Sequence, residues 1–213
     1  MALSNLDARM NPSVRVRLAK PADAERITSV INSAFHRAEG FFLDGDRIDV
    51  GGILNLLNSG KFLLAEREGT LLGCVYVERR AFLLNEGSPA IHDRTPADPG
   101  KEDSDLAGGM RNAQAEIRNP KFSRAYLGLL AVDPAHQQCG LGSVLMDAAE
   151  DYCRGLGASF MDIKVVNLRA ELPAYYRRRG YVETGTSPFP TDIETKLPCH
   201  FIDMSKTLRE ERE

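Results

Sequence analysis

Apolar residues recur at helical spacing in some stretches of this chain and alternate with polar residues in others, and the two patterns predict its elements. Arginines alternate with apolar residues over 14–18, which predicts a first strand. Pro21 suits a first helical turn, and the apolar residues after it share one helical face: Ile27, Val30, Ile31, Ala34 and Phe35. The chain is therefore expected to begin with a strand and an amphipathic helix.

A short helix over about 49–57 and a hairpin are predicted next. Residues 61–66 and 70–78 have the composition of strands, and the Glu68-Gly69 pair between them is typical of a tight turn. The stretch from about 85 to 120 then breaks the pattern with prolines, glycines and acids. We interpret it as a loop inserted into a single domain that spans residues 1–213, with a helical turn near 110–117, because neither side alone completes a sheet.

Strands and helices alternate in the second half of the chain. An apolar run over 125–132 is typical of a buried strand, and apolar residues from Leu141 onward follow helical spacing as far as Gly155 and Gly157. Four further elements are predicted, a strand over 161–165, a helix over 170–180 and strands over 181–183 and 199–205. This order, without an internal repeat, predicts an α/β fold around a mixed sheet.

Composition narrows the functional classes. The 213 residues are 43% hydrophobic with a net charge of −3, which gives no electrostatic reason to expect nucleic acid or an anionic membrane as a partner. No apolar stretch is long enough to span a bilayer, and the first residues lack the apolar core of a signal peptide. The 4 cysteines and 4 histidines are scattered, without the spacing of a zinc site. We therefore expect a cytoplasmic protein without a metal.

The segment 125–142 carries the most informative pattern. Its strand ends at Asp133-Pro134, and Gln137, Gly140 and Gly142 follow in the spacing Q-x-x-G-x-G directly before a helix. The first N–H groups of a helix have no internal partner, and the helix dipole adds partial positive charge there. Glycines let the backbone approach a phosphate without a Cβ in the way. The segment therefore predicts a site for a phosphate-bearing ligand.

Two common phosphate sites match this turn poorly. A P-loop needs Lys-Ser/Thr after its second glycine, whereas Gly142 is followed by Ser143-Val144. A dinucleotide fold needs a third glycine where Leu145 stands, and an acid at the end of the next strand, whereas Asp162 lies near that strand's start. A nucleotide-dependent oxidoreductase therefore stays only as an alternative.

From about 15 to 208 the chain resembles the GNAT superfamily of N-acetyltransferases, which bind acetyl-CoA. The resemblance lies in residues 130–134, the turn 137–142, Asn167, and the run 174–181, which is similar to the family's aromatic-Tyr-x-x-x-Gly-aromatic signature. It implies a mixed, mostly antiparallel central sheet flanked by helices, the GNAT-like acyl-CoA N-acyltransferase fold. It also implies acetyl-CoA as co-substrate without a metal, and it suggests a homodimer.

The resemblance places the cofactor on the glycine turn and the strand before it. In the family this strand splays from the next one, so that pantetheine lies in the slot as an added strand while backbone N–H groups of the turn hold the pyrophosphate. The implied cofactor-binding residues are Leu130, Ala131, Val132, Gln137, Gln138, Cys139, Gly140, Leu141, Gly142, Ser143 and Asn167. Family members often have basic or glycine residues where this chain has Gln138 and Cys139.

Tyr176 occupies the family's tyrosine position, so the resemblance implies that its hydroxyl protonates the leaving thiolate. The alternative is a tyrosine packed in the core with a hydrogen-bonded hydroxyl. Tyr175 is the competing candidate, and we expect it to face the core. Asn167 either contacts the cofactor or caps the following helix.

The general base has no obvious candidate, because the strand before the turn lacks the carboxylate that many family members carry there. Glu39, Glu78 and Glu116 are the acids considered for this role, and each also fits a solvated surface position. Cys139 at the start of the helix suggests a mixed disulfide with CoA, although a buried, inert thiol is the simpler expectation.

The acceptor is indicated only by the linker after the first helix. Its acids, Glu39, Asp44, Asp46 and Asp49, favour a cationic amine or simply form an acidic surface, whereas Arg47 would meet a substrate carboxylate. We therefore predict an acetyltransferase that acts on a primary amine of a small molecule or peptide, by direct transfer in a ternary complex. The alternative is a non-catalytic acyl-CoA-binding regulatory module, which the missing strand carboxylate favours.

Overall fold

The computed structural model describes residues 14–81, 123–191 and 193–209. The predicted insertion, with Glu116 and the turn near 110–117, lies outside the described residues. In chain order the elements are β1 (Arg15–Leu18), α1 (Ala24–Glu39), α2 (Val50–Ser59), β2 (Lys61–Arg67), β3 (Thr70–Ala81), β4 (Ser123–Val132), α3 (Leu141–Gly155), β5 (Phe160–Val166), α4 (Glu171–Arg178), β6 (Val182–Pro188) and β7 (His200–Thr207). None of the described helices is long and apolar enough to cross a membrane.

The strands form a 7-stranded sheet in the order β1-β2-β3-β4-β5-β7-β6. Every neighbouring pair is antiparallel except β4 and β5, which run parallel. A parallel pair needs a crossover connection, and α3 supplies it. The expected fold class, a mixed and mostly antiparallel sheet flanked by helices, is therefore confirmed.

Both faces of the sheet are covered, which explains the uninterrupted apolar run of β2. Leu63 and Ala65 pack into a cluster with α3, whereas Phe62 and Leu64 pack on the other face against α1 and α2. Successive side chains of a strand point to opposite faces, so each face receives alternate residues of the same run. The predicted apolar stripe of α1 is confirmed, since Ile27, Val30, Ile31 and Ala34 are buried.

Most predicted elements match the structure within a few residues, and the largest difference is β6. The predicted strand over 181–183 is instead a strand from Val182 to Pro188, which pairs with β7 through a register shift between Glu183 and Gly185. Most of its residues are exposed, so the sequence shows no alternation of apolar and polar positions there. Pairing with β7 determines this strand, and a local pattern cannot reveal it.

The feature of the sheet that matters for function is the parting of β4 from β5. Residues 124–127 of β4 pair with residues 160–163 of β5. Beyond these residues, β5 pairs only with β7 on its other side, and β4 pairs only with β3. The β3–β4 register shifts between Cys74 and Tyr76, where Leu129 has a left-handed φ of 47°. A bulge of this kind bends the strand that carries it. A slot therefore opens between the ends of the two strands.

Candidate active site

The slot between β4 and β5 widens into a cavity of about 890 Å³. One wall consists of β4 beyond Leu127 and the turn before α3, and another consists of the end of β5 and α4. Residues of α1, of the linker after it and of the end of β3 complete the lining. The cavity thus joins the predicted cofactor turn to the predicted acceptor segment.

Main-chain groups of β4 face this slot. Asp133 N–H donates to Leu72 O of β3 at 2.8 Å. Because successive residues of a strand direct their main-chain groups to opposite sides, the preceding residue, Val132, directs its own groups away from β3. The Gln137 carboxamide nitrogen indeed reaches Val132 O from the slot side, at 3.1 Å. Ala131 pairs with Cys74, so Leu130 has the same orientation as Val132 by the same alternation. This edge can accept an extended ligand as a further strand.

The turn between β4 and α3 presents backbone donors without a charged side chain on its glycine segment. Gln138 and Gly140 adopt left-handed φ values of 66° and 83°, and α3 begins directly afterwards at Leu141. The first N–H groups of α3 have no intrahelical acceptor. A Cβ added at Gly142 would meet only Tyr175 Oη, at 4.0 Å, so a ligand atom can approach the backbone closely. Free donors, open space and the helix dipole together fit a pyrophosphate.

The predicted cofactor-binding residues line this cavity, except Cys139 and Asn167. Cys139 is exposed, and its thiol donates to His136 O at 2.7 Å, so the expectation of a buried thiol is wrong. The turn simply directs this side chain to solvent. The Asn167 carboxamide accepts from His200 N–H at 2.9 Å and ties the end of β5 to β7. Asn167 does not cap α4, whose N-cap is Ala170.

Tyr175 and Tyr176 both line the cavity from α4. Tyr175 packs against the core and is partly buried, but Tyr176 is the more buried of the two, with 8% of its surface exposed. The rings of Tyr175 and Tyr181 meet the ring of Tyr176 edge to face, with ring centroids 5.2 and 5.8 Å away. Burial raises the pKa of Tyr176 to about 12. With this pKa, the hydroxyl is protonated at neutral pH. None of the described residues hydrogen-bonds to it, so it is available to a ligand.

Three carboxylates among the described residues line the cavity: Glu39, Glu78 and, on α4, Glu171. Glu78 accepts hydrogen bonds from Tyr76 Oη at 2.9 Å and from Arg80 Nε at 3.2 Å. Burial raises the pKa of the Glu39 carboxyl above its ordinary value, and the charges of Arg47 and Arg169 oppose this rise. Glu78 is therefore held by fixed donors, whereas Glu39 has a perturbed pKa in a cleft, which is typical of functional acids and bases.

Tyr126 belongs to the site although the sequence did not single it out. It lies directly opposite Glu78 in the β3–β4 register, and the guanidinium carbon of Arg80 is 4.4 Å from the centre of its ring. Burial raises the pKa of its hydroxyl. The inserted segment between β3 and β4 hides this pairing from the sequence, since the two residues are far apart along the chain.

Glu39 is the last residue of α1 rather than part of the linker, and the acids of the linker itself are engaged away from the cavity. Asp44 forms an ion pair with Lys196 at 2.6 Å, and Asp49 Oδ1 caps α2 by accepting from Gly52 N–H at 2.6 Å. Asp46 lies 3.3 Å from His36 Nε2. Arg47 is the residue of this linker that lines the cavity. Among the described residues, no cluster of histidine, cysteine and acidic side chains could hold a metal ion.

Comparison with known proteins agrees with this geometry. The family model described as Acetyltransferase (GNAT) family matches residues 27–181. No curated protein matches the chain.

Similar solved structures include a ribosomal-protein-alanine N-acetyltransferase from Brucella melitensis, with 17% identity, a TM-score of 0.59, and 91% of this chain and 99% of that chain covered. Ard1 from Thermoplasma volcanium is similar at 17% identity and a TM-score of 0.59, over 93% of this chain and 99% of that one. The yncA protein from Salmonella typhimurium, solved with its cofactor acetyl-CoA, is similar at 19% identity and a TM-score of 0.57, over 94% of this chain and 97% of that one. These likenesses show the fold, and the family model extends over most of the chain, from α1 to the residue before β6. The protein therefore belongs to the acetyltransferase (GNAT) family.

Proposed function

We propose that this protein transfers the acetyl group of acetyl-CoA directly to a primary amine of a small molecule or peptide, in a ternary complex. The observation that carries the proposal is the parting of β4 from β5 beside the N-terminus of α3. An extended, amide-containing arm followed by a pyrophosphate matches these two features in order. Pantetheine and the pyrophosphate of CoA have that chemistry, and members of the family use acetyl-CoA.

In this proposal the unpaired edge of β4 binds pantetheine through main-chain groups of Leu130 and Val132. The N–H groups from Gln137 to Ser143 bind the pyrophosphate, with Gly142 leaving room for it. Because the glycine segment of the turn is neutral, the phosphates are held by amide donors and the helix dipole rather than by an ion pair. Direct contact of Cys139 or Asn167 with the cofactor stays a prediction, and neither lines the cavity.

Acetyl transfer forms a C–N bond and breaks a C–S bond, so one proton must leave the amine and one must reach the departing thiolate. We assign the second step to Tyr176, whose ring is buried and whose hydroxyl is protonated and without a partner among the described residues. A main-chain N–H of β4 near Leu130 would face the carbonyl oxygen as charge develops on it. The tyrosine recovers its proton from solvent after the products leave.

We assign the first step to Glu39, directly or through a water molecule. Its raised pKa brings a carboxylate closer to neutral pH, where a general base is most effective. Glu78 lines the same cavity but already accepts from Tyr76 and Arg80, which lowers its availability. The Glu39 carboxylate would accept a proton from the acceptor amine, which then attacks in its neutral form. The proton afterwards passes from Glu39 to solvent.

Thermal-shift measurements with acetyl-CoA, longer acyl-CoAs and NAD(P), followed by thiol release with a panel of amines, test the proposal. We expect acetyl-CoA to raise the melting temperature and at least one amine to stimulate thiol release. Stabilisation by NADH without stabilisation by any acyl-CoA would instead support the oxidoreductase alternative.

A non-catalytic acyl-CoA-binding module is the second candidate, because β4 reads Tyr126-Leu127-Gly128-Leu129 and carries no carboxylate before the turn. It predicts acyl-CoA binding without thiol release for any amine in a broad panel. The single domain over 1–213, the homodimer and the cytoplasmic location stay predictions, and light scattering of the purified protein tests the second.

A further inference from the structure

Arg47 differs from the other cationic side chains that line the cavity. Arg80 forms an ion pair with Glu78, Lys164 with Asp203 and Arg169 with Glu171. Arg47 forms no ion pair with any residue in the described parts of the chain. Among the described residues that line the cavity, Arg47 is therefore the one guanidinium without an ion-pair partner within 4 Å.

The position of Arg47 is fixed by a buried side chain of α1. Asn32, which is 9% exposed, accepts from Arg47 N–H at 2.9 Å and from Ile48 N–H at 3.2 Å. Its amide nitrogen also donates to Ile48 O at 2.9 Å. Three hydrogen bonds from one buried carboxamide hold the backbone of the linker against the helix. Arg47 is thus presented from a rigid support, as a ligand-binding side chain requires.

The side chain of Arg47 is half-buried, and one of its hydrogen-bond donors is unsatisfied. Its guanidinium carbon lies 5.5 Å from the centre of the Phe35 ring, and its Nε is buried without a hydrogen-bond partner. A buried donor without an acceptor is costly, and native proteins rarely keep one without a reason. The Arg47 charge also opposes the raised pKa values of Glu39 and Tyr126, so the guanidinium lies near both groups.

We infer that the acceptor is an amine that also carries a carboxylate, and that Arg47 binds this carboxylate while the amine lies near Glu39. The inference rests on the proposed function and specifies its substrate class. A guanidinium matches a carboxylate in shape and charge, and the bound oxygen atoms would supply the acceptor that Nε lacks. An amine without an anionic group would instead bring a second positive charge to an unpaired one.

Matched pairs of acceptors test the inference, each pair consisting of an amino acid and the same amine without its carboxylate. Suitable pairs are leucine with 3-methylbutylamine, phenylalanine with phenethylamine and methionine with 3-(methylthio)propylamine, extended to β- and γ-amino acids. Each carboxamide serves as a third member that keeps the shape and removes the charge. We expect kcat/KM for the best carboxylate to exceed that for its partner amine by about 10- to 100-fold, as for a charge-assisted hydrogen bond.

Variants of Arg47 locate the source of this preference. Arg47→Gln is expected to bring the ratio within each pair close to one, chiefly through KM, while Arg47→Lys keeps part of it. Arg37→Gln is the matched control, because Arg37 is an exposed residue of α1 outside the cavity lining, and it should leave the ratio unchanged. Acetyl-CoA affinity should be the same in all these proteins, which shows that each is folded.

The outcomes separate this inference from the function on which it rests. Equal kcat/KM values within every pair, on the wild-type protein alone, would overturn the inference and leave the acetyltransferase proposal standing. A carboxylate preference that survives in Arg47→Gln would place the anion elsewhere and would equally overturn it. If acetyl-CoA binds and neither these pairs nor a broad panel of amines and peptides is acetylated, the proposed function fails, and the inference fails with it.

Discussion

The rings of Tyr175 and Tyr176 meet edge to face with centroids 5.2 Å apart, yet their hydroxyls have different surroundings. Tyr175 Oη lies 3.5 Å from Ser143 Oγ, whereas Tyr176 Oη has no partner among the described residues. The two tyrosines therefore form a matched pair for substitution, because one hydroxyl lies beside the first turn of α3 and the other is unpaired within the described residues.

Removing the hydroxyl of Tyr176 is expected to lower kcat without changing acetyl-CoA affinity. Because general acid catalysis contributes roughly 100-fold or more, we expect a loss of about that size in Tyr176→Phe. Amine-dependent thiol release measures the rate, and calorimetry measures the affinity. Tyr175→Phe is the control and should keep turnover within a few-fold. Unchanged turnover in Tyr176→Phe would remove this tyrosine from the mechanism.

A side chain at Gly142 is expected to block the phosphate site while the fold persists. The Cβ there would meet only Tyr175 Oη at 4.0 Å, so the room around it is available to a ligand. Gly142→Leu should therefore weaken acetyl-CoA binding by at least about tenfold, a difference of roughly 1.4 kcal/mol.

Gly155→Leu is the control for this change, because Gly155 ends the same helix and a Cβ added to it meets nothing within 4 Å. Both variants should have melting temperatures similar to the wild type in the absence of ligand. Full acetyl-CoA affinity in Gly142→Leu would contradict the assignment of the pyrophosphate to this turn.

The acid side of the pH–rate profile is expected to report Glu39. A base works only when deprotonated, so activity falls as pH decreases through its pKa, and burial raises that pKa above 4.5. The fall in kcat/KM should therefore begin at a higher pH than an exposed carboxyl would give. Glu39→Gln should lower kcat and abolish this limb, whereas Glu78→Gln should keep it. The reverse result would assign the base to Glu78.

A half-buried ion pair just before α1 is expected to make stability depend on acid pH. Arg17 donates to both oxygens of Asp23, at 2.8 and 2.7 Å, and this lowers the pKa of Asp23 from 3.8 to about 2. Because the folded pKa lies below the unfolded one, the stabilisation is complete above about pH 4 and is lost as pH falls toward 2. The shift corresponds to about 2 kcal/mol.

Urea unfolding between pH 6 and pH 2 measures this effect. Asp23→Asn should lower the free energy of unfolding at pH 6 and flatten its decline toward acid. Glu25→Gln, a change at an exposed residue two positions further along, should leave the decline as it is. An acid dependence that persists unchanged in Asp23→Asn would show that other carboxyls cause it.

Local patterns were sufficient for the elements that bury a regular face or end in a specific turn. The spacing of Ile27 and Ile31 defined α1, and Glu68-Gly69 defined the hairpin, because both signals lie within a few residues of sequence. The Q-x-x-G-x-G segment likewise predicted a helix N-terminus, since Gly140 has the left-handed φ that such a turn requires. Here short-range chemistry and the fold agree.

Long-range relationships were beyond the sequence. Nothing near Tyr126 shows that Glu78 lies opposite it, and nothing near Arg47 shows that Asn32 holds its backbone. Burial has the same character, since Tyr176 lies in a cluster with Val77 and Leu127, which are far from it along the chain. The acids of the linker were interpreted as one group, but capping and ion pairing withdraw Asp44 and Asp49 from the cavity. Such outcomes depend on which elements meet.

The parting of β4 from β5 also bears on how this protein avoids aggregation. A sheet normally exposes unpaired main-chain groups at its outer strands, here β1 and β6, where another chain can add to it. The bulged half of β4 is a further edge, but it lies inside a cavity of about 890 Å³, walled by α4 and the turn before α3. This third edge of the sheet is therefore enclosed by other elements of the domain, unlike the outer edges of β1 and β6.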